Sequence, residues 1–300
     1  MNNSEIQFLI IDWGTTNFRA LAIGENGKVL GQYQQKLGLL QVENRQFSQA
    51  LAGVLSDWLG QYQHLPIYMA GMIGSAQGWV ETPYVPAPLS MTDLARKAHQ
   101  FSLPWGGKAT LVPGVSHKDH SDSYDVMRGE EVQLFGLQVI IQKESFHAVF
   151  PGTHSKHIVL DNGKLIDFST YMTGELFSLL INHSILGRGL PEPVESHDSF
   201  FKGITNSSEP NLLNRLFSAR TVRLFELVEE SHIQDYLSGL LIGYELRSLA
   251  SDSVYLVGDP LLCERYEKAC QALDIEFCTI DGNHCFLEGM LQVKQDIKDE

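Results

Sequence analysis

Three short apolar runs open the chain, each stopped by a polar turn. "FLIID" (8–12) is apolar up to its aspartate, "FRALAIG" (18–24) follows a Gly-Thr-Thr turn, and "VLGQYQQK" (29–36) follows "ENGK". Asn-Gly between apolar runs is a strong hairpin signal, because both residues tolerate positive φ. The pattern predicts a three-stranded meander. It returns at 147–171, "HAVFPGTHSKHIVLDNGKLIDFSTY". There an apolar strand again runs into Gly-Thr, and Asn-Gly-Lys again joins two further strands. Gly14 to Asn26 spans twelve positions and Gly152 to Asn162 spans ten. A hairpin shortened by one residue in each arm keeps its facing pairs. We read an internal duplication, one meander opening each half. The domains expected are 1–146 and 147–300.

Between and after the meanders the period changes. "NRQFSQALAGVLSDWLG" (44–60) has helical spacing. "LPIYMAGMIGSAQGW" reads as a strand emptying into a Gly-rich loop, and "VETPYVPAPLS" as an extended, proline-punctuated loop. "ATLVPGVS" is a strand, and "GEEVQLFGLQVII" is a helix with two acids in its first turn, as the dipole prefers. Residues 173–187 read as a helix capped by Thr173, 193–211 as loop, and 232–250 as a long helix. Gly174, Gly239 and Gly243 suit close helix packing. "SVYLVGD" is a strand, followed by "PLLCERYEKACQAL", a helix with proline at its start. Strands alternating with helices make the fold class α/β.

Composition narrows the function. The chain has 300 residues, 43% of them hydrophobic and 19% charged, with a net charge of −14. That length supports one large domain or two medium ones. The acidic balance, without any Lys/Arg cluster, argues against nucleic acid or an anionic membrane as partner. Cys263, Cys270, Cys278 and Cys285 lack zinc-knuckle spacing and read as reduced thiols. No apolar run reaches about 18 residues, and no basic stretch precedes the first strand, so a cytoplasmic protein is expected. The sequence does not decide the oligomeric state; a homo-oligomer is compatible with it.

The two Gly-Thr turns carry the chemistry. Backbone N–H groups of a tight Gly turn form an anion-binding concavity, and Thr hydroxyls add donors. Gly14, Thr15, Thr16 and Asn17 form one candidate phosphate contact; Gly152, Thr153 and His154 form the other. Lys156 either steers a phosphate or is a charge at a strand end. Asp12 would repel a phosphate, so its place at the strand mouth makes sense with a divalent cation between them. Neither GxxxxGK[ST] nor GxGxxG occurs, which removes the P-loop and Rossmann readings.

At this point the sequence resembles a known family. "IDWGTTNFRA", "AGMIGSAQGWVETPYVPAP", "DVMRGEEVQLFG", "PGTHSKH", "YMTGELFSLLINHSILGR" and "GLLIGYEL" together resemble the 2-dehydro-3-deoxygalactonokinases of the actin/Hsp70/sugar-kinase superfamily. The resemblance implies two ribonuclease-H-like domains, the actin-like ATPase fold, with a nucleotide cleft between them. It implies ATP-dependent phosphorylation of the C6 hydroxyl of 2-dehydro-3-deoxygalactonate, with Mg2+ at Asp12 and ATP and a sugar acid as ligands. The superfamily's adenosine motif is Gly-Gly-rich; here "LVGDPLL" has the single Gly258.

In related sugar kinases the base lies near a helix start before the second hairpin. That window is "DVMRGEEVQLFG", where Asp125, Glu130 and Glu131 compete, and Glu130 is favoured by analogy. A keto-acid substrate wants a guanidinium for its carboxylate. Arg128, inside the catalytic window, is the first candidate, and Arg19 is the second unless it pairs with an acid. Gly74, Ser75, Gln77 and Trp79 offer amides, hydrogen-bonding groups and a ring face for the sugar, unless Trp79 is core. The rivals are a kinase of another sugar or sugar acid, a nucleotide-switched binding protein and an exopolyphosphatase-type hydrolase; size and acidity disfavour the last two.

Overall fold

A computed structural model describes residues 5–119 and 121–298. In chain order the first elements are β1 (Phe8–Trp13), β2 (Phe18–Ile23), β3 (Val29–Gln35), α1 (Phe47–Leu59), β4 (Ile67–Ala70), β5 (Val85–Pro86) and β6 (Leu89–Ser90). There follow α2 (Met91–Arg96), β7 (His99–Ser102), β8 (Lys108–Leu111), β9 (Val115–Lys118), β10 (Tyr124–Met127) and α3 (Glu130–Ile141). The second meander is β11 (Phe146–Phe150), β12 (Ser155–Asp161) and β13 (Lys164–Tyr171). Then come α4 (Thr173–His183), α5 (His197–Asn206), α6 (Leu212–Leu216), α7 (Ser218–Leu224) and α8 (Ile233–Leu246). The chain ends with β14 (Ser253–Gly258), α9 (Pro260–Ala272), β15 (Glu276–Asp281) and α10 (Gly282–Lys298).

The described chain forms two compact units. Unit 1 takes Met1–Ser145, Leu160–Asp167 and Asn283–Glu300; unit 2 takes Phe146–Val159 and Phe168–Gly282. The last helix therefore belongs with the first unit. Unit 1 has a sheet in the order β3-β2-β1-β4-β8-β7, with β1, β4 and β8 parallel, and a small sheet β10-β9-β5. In the other large sheet β13-β12-β11-β14-β15 repeats that order of meander followed by parallel strands. Both Asn-Gly turns have the positive φ their hairpins need: Asn26 55° and Gly27 75°, Asn162 49° and Gly163 73°. This is the expected duplication.

Strand alternation positions the chemistry. Leu9, Ile11 and Trp13 of β1 enter one core with Phe18, Leu51, Leu55 and Met69. Asp12, between two of them, points to the opposite face at the strand's end. In unit 2, α8 supplies Tyr236, Leu237 and Leu240 to one core and Ile242 and Leu246 to another.

Three local readings change. The helix expected from 44 starts at Phe47, because Asn44 and Arg45 are left-handed (φ 50° and 56°). Residues 193–211, expected as loop, contain α5; Ser196 caps it through Ser199 N–H, and only Phe200, Gly203 and Ile204 give it an apolar stripe. Thr173 does not cap α4: it is the first helical residue after Met172, and its hydroxyl donates to Glu245 instead. The four cysteines are free, three of them buried. No helix among the described residues is long and apolar enough to cross a membrane.

Candidate active site

In unit 1, the β1–β2 register sets Asp12 opposite Arg19. Arg19 Nη2 lies 3.2 Å from Asp12 Oδ2. Its Nη1 donates to Asn283 Oδ1 of α10, and its guanidinium lies 5.1 Å from the Phe286 ring centre. Arg19 thus takes the alternative role the sequence left open, pairing with an acid. Burial pushes the Asp12 carboxyl above its usual range, while the charge and hydrogen bond of Arg19 pull it back. The other oxygen, Oδ1, faces Gly71, where an added Cβ would sit 3.3 Å away.

The first Gly-Thr turn is closed by Gly14 N–H donating to Asn17 O at 2.9 Å, and it leaves Thr15, Thr16 and Asn17 exposed. The following segment clasps it: Trp13 Nε1 donates to Leu37 O (2.7 Å) and Gly38 N to Thr16 O (2.9 Å).

The three competing acids have separate fates. Asp125 lies on β10 opposite His117, its Oδ1 accepting from Val126 N–H at 2.7 Å. Glu131 is fully buried; its two oxygens accept from Gly129 N–H at 2.9 and 2.7 Å. Burial first, then the neighbouring Glu130 charge, push the Glu131 carboxyl up to about 8. Glu130 is half-buried at the opening of α3, with Oε2 accepting from Arg128 N–H at 3.2 Å. Gly129 brings this opening beside the end of β4, since its Cβ would lie 3.7 Å from Gly71 Cα.

Arg128 is buried, and both ends of its fork are engaged. Nη1 donates to Thr82 Oγ1 (2.7 Å) and Nη2 to Thr82 O (2.9 Å), under the Tyr84 ring at 4.6 Å. Gly74 makes room, as a Cβ there would fall 2.7 Å from Nη1. Ser75 is buried, and its hydroxyl has no partner among the described residues. Gln77 is exposed, whereas Trp79 packs edge-on against Phe101 at the unit 1 core, the structural alternative. Thr82, Tyr84 and Arg45 were not foreseen. Arg45 Nη2 donates to Ala76 O (3.1 Å) and Gly78 O (2.7 Å).

Unit 2 holds a cavity of about 650 Å³. Gly152, Thr153, Thr173 and Gly174 form its polar end, and Phe177, Val194, Leu261 and Leu262 contribute an apolar wall. Glu175 N–H donates to Thr153 O at 2.9 Å, so the start of α4 docks on the second Gly-Thr turn. Gly174 permits this: its Cβ would meet Gly152 O at 2.5 Å. His154 pairs with Glu175. Lys156 is buried with Nζ donating to Thr170 Oγ1 at 2.6 Å, and neither it nor Gly258 is on the cavity wall. Gly258 ends β14, and Asp259 caps α9, which carries Leu261 and Leu262 to the wall.

Glu245 secures the polar end. It is buried on α8 and accepts from Ser155 Oγ (2.5 Å), Tyr266 OH (2.7 Å) and Thr173 Oγ1, with His157 Nε2 at 3.0 Å. Burial, and then this carboxylate, hold the Tyr266 hydroxyl well above its usual value. The signal for Glu245 was one carboxylate in the apolar run "GLLIGYEL"; its four partners come from three other elements.

The arrangement supplies two kinds of chemistry: anion-binding turns backed by rigid elements, and carboxylates graded by burial. The chain as a whole is similar to known proteins. The chain is 32% identical over 293 residues to the 2-dehydro-3-deoxygalactonokinase of Escherichia coli (strain K12), covering 96% of this chain and 97% of the relative. It superposes with a TM-score of 0.88, at 31% identity, on a crystal structure described as a candidate 2-dehydro-3-deoxygalactonokinase from Sinorhizobium meliloti, covering 97% and 96% of the chains. At the level of fold alone it matches component A of the Acidaminococcus fermentans (R)-2-hydroxyglutaryl-CoA dehydratase, with a TM-score of 0.50, 11% identity, and 97% and 99% coverage. Its α/β fold is the expected actin-like ATPase fold. Residues 12–293 match the model of the family described as 2-keto-3-deoxy-galactonokinase, and the chain belongs to that family.

Proposed function

We propose that this protein transfers the γ-phosphoryl group of ATP to the C6 hydroxyl of 2-dehydro-3-deoxy-D-galactonate, a step of galactonate catabolism. The carrying observation is the unit 2 cavity, whose Gly152–Thr153 turn and α4 opening offer phosphate donors beside an apolar wall suited to a nucleobase. The triphosphate belongs at the turn and the base against Val194 and Leu261.

Asp12 fits a magnesium ion by its donor chemistry. It is a single, partly exposed carboxylate with only one oxygen engaged by Arg19, at the mouth of a turn with exposed Thr15 and Thr16 hydroxyls. Magnesium takes one or two carboxylates and completes its shell with phosphate oxygens and water. Bound there, it would neutralise charge on the phosphates.

Glu130 is the proposed general base. Glu131 is sealed from any hydroxyl, and Asp125 bonds its own strand backbone. The helix start favours negative charge at Glu130. Glu131 beneath it holds the Gly129 amide and positions the turn.

The test is coupled ADP release with magnesium-ATP, comparing the galactonate-derived acid, its C4 epimer 2-dehydro-3-deoxygluconate and a plain hexose. Turnover with the first is expected, and Glu130→Gln should lower kcat by about 100-fold or more. Turnover with the hexose alone would replace the substrate assignment by a neutral-sugar kinase.

A further inference from the structure

A sugar acid differs from a sugar by a carboxylate, and a site that selects it needs a cation with donors to spare. The two arginines expected for this task have both fork nitrogens engaged, and the one donor of Arg128 without a partner, Nε, is buried. Arg128 directs Nη1 and Nη2 at Thr82, and Arg19 directs them at Asn283 and Asp12. Both are buried.

Arg45 is exposed and placed by a different logic. Its segment is bonded at the start to the Asp12 turn, through Leu39 N to Gly14 O (3.1 Å) and Leu40 N to Thr15 O (3.4 Å). Asn44 and Arg45 then adopt consecutive left-handed conformations that L residues avoid. The result sets the guanidinium on the Gly-rich loop, with Nη2 bonded to Ala76 O and Gly78 O. An arginine has five N–H donors. Those on Nη1 and Nε make no hydrogen bond among the described residues. The same loop carries the buried, unpartnered hydroxyl of Ser75.

We propose that Arg45 is the carboxylate-selecting residue of the sugar-acid site, fixed through Nη2 to the 76–78 backbone and reading the substrate's anion through Nη1 and Nε. The inference rests on the sugar-acid reading above. A second unpartnered group on the loop, the buried Ser75 Oγ, suits a hydroxyl of the same ligand.

The experiment compares the acid with its neutral primary amide in wild type and Arg45→Gln. Glutamine keeps an N–H donor group for the loop carbonyls and removes the charge. Wild type should prefer the acid in kcat/KM. The variant should raise KM for the acid by roughly 10- to 100-fold and leave KM for the amide and for ATP within about twofold, so the preference collapses. A loop staple alone would move acid and amide together and overturn the proposal. Butanedione labelling of wild type, read by peptide mass spectrometry, avoids any folding defect. The acid should protect Arg45 and the amide should not; equal labelling overturns the proposal. A wild type indifferent to the carboxylate sinks the sugar-acid reading as well. One that prefers the acid, with the preference intact in Arg45→Gln, sinks this inference alone.

Discussion

Among single residues, burial separates neighbours that composition cannot. Glu130 and Glu131 are adjacent acids in one helical turn, yet only Glu131 is fully buried, and its carboxyl is raised from the ordinary 4.5 to about 8. Between those values the folded protein holds a proton that the unfolded chain has released. Stability therefore falls as pH rises through that window. Below it both states are protonated, and above it the full penalty is present. Glu131→Gln is neutral throughout and still accepts from Gly129 N–H. Its melting temperature, taken relative to wild type, should rise steadily from about pH 5 to about pH 8. A difference that stays constant with pH would remove Glu131 as the titrating group.

At the scale of elements, α8 organises unit 2. Gly239 lets it pack on α5 at backbone distance, since a Cβ there would lie 2.0 Å from Phe200 O. Gly239, one of the three glycines expected to allow close helix packing, thus matters through contact rather than through the helix itself. Further along the same helix, Glu245 gathers β12, α4 and α9 around a single carboxylate. Glu245→Leu would strand the hydroxyls of Ser155, Thr173 and Tyr266 without their acceptor. Such a loss costs about 3–5 kcal/mol, to be read from urea denaturation. Because Thr173 also lines the cavity, KM for ATP should rise in the same variant. Full stability with an unchanged KM would show that the cluster supports neither fold nor site.

At the scale of the whole molecule, the chain returns to its beginning. The last helix completes unit 1: Asn283 accepts from Arg19, and Gly136 of α3 approaches the Cys285 carbonyl so closely that a Cβ would sit 1.7 Å from it. Gly136→Val should force α3 and α10 apart and destabilise unit 1 by about 1–3 kcal/mol. Trp13, Trp58, Trp79 and Trp105 all lie in unit 1, so tryptophan fluorescence follows that unit alone. Its urea midpoint should fall more than that of the far-ultraviolet signal, to which the unit 2 helices contribute. Coincident shifts of equal size would mean that the two units unfold as one.

The features legible in the amino-acid order alone are local or repeated. The Asn-Gly turns, the alternation of β1 and the Gly-Thr breaks are set by φ preferences and strand period, which neighbouring residues suffice to impose. Both meanders and both Gly-Thr turns were legible for that reason. The tertiary structure decided what depends on distant partners. It engaged Arg128 with Thr82, 46 positions away, and Arg19 with Asn283, 264 positions away. It also sealed Glu131, gave Glu245 its four contacts and left Arg45 with open donors. A side chain's type states which bonds it can make. Whether those bonds are already used depends on the segments that fold back over it, and that is set by burial and not by spacing along the chain.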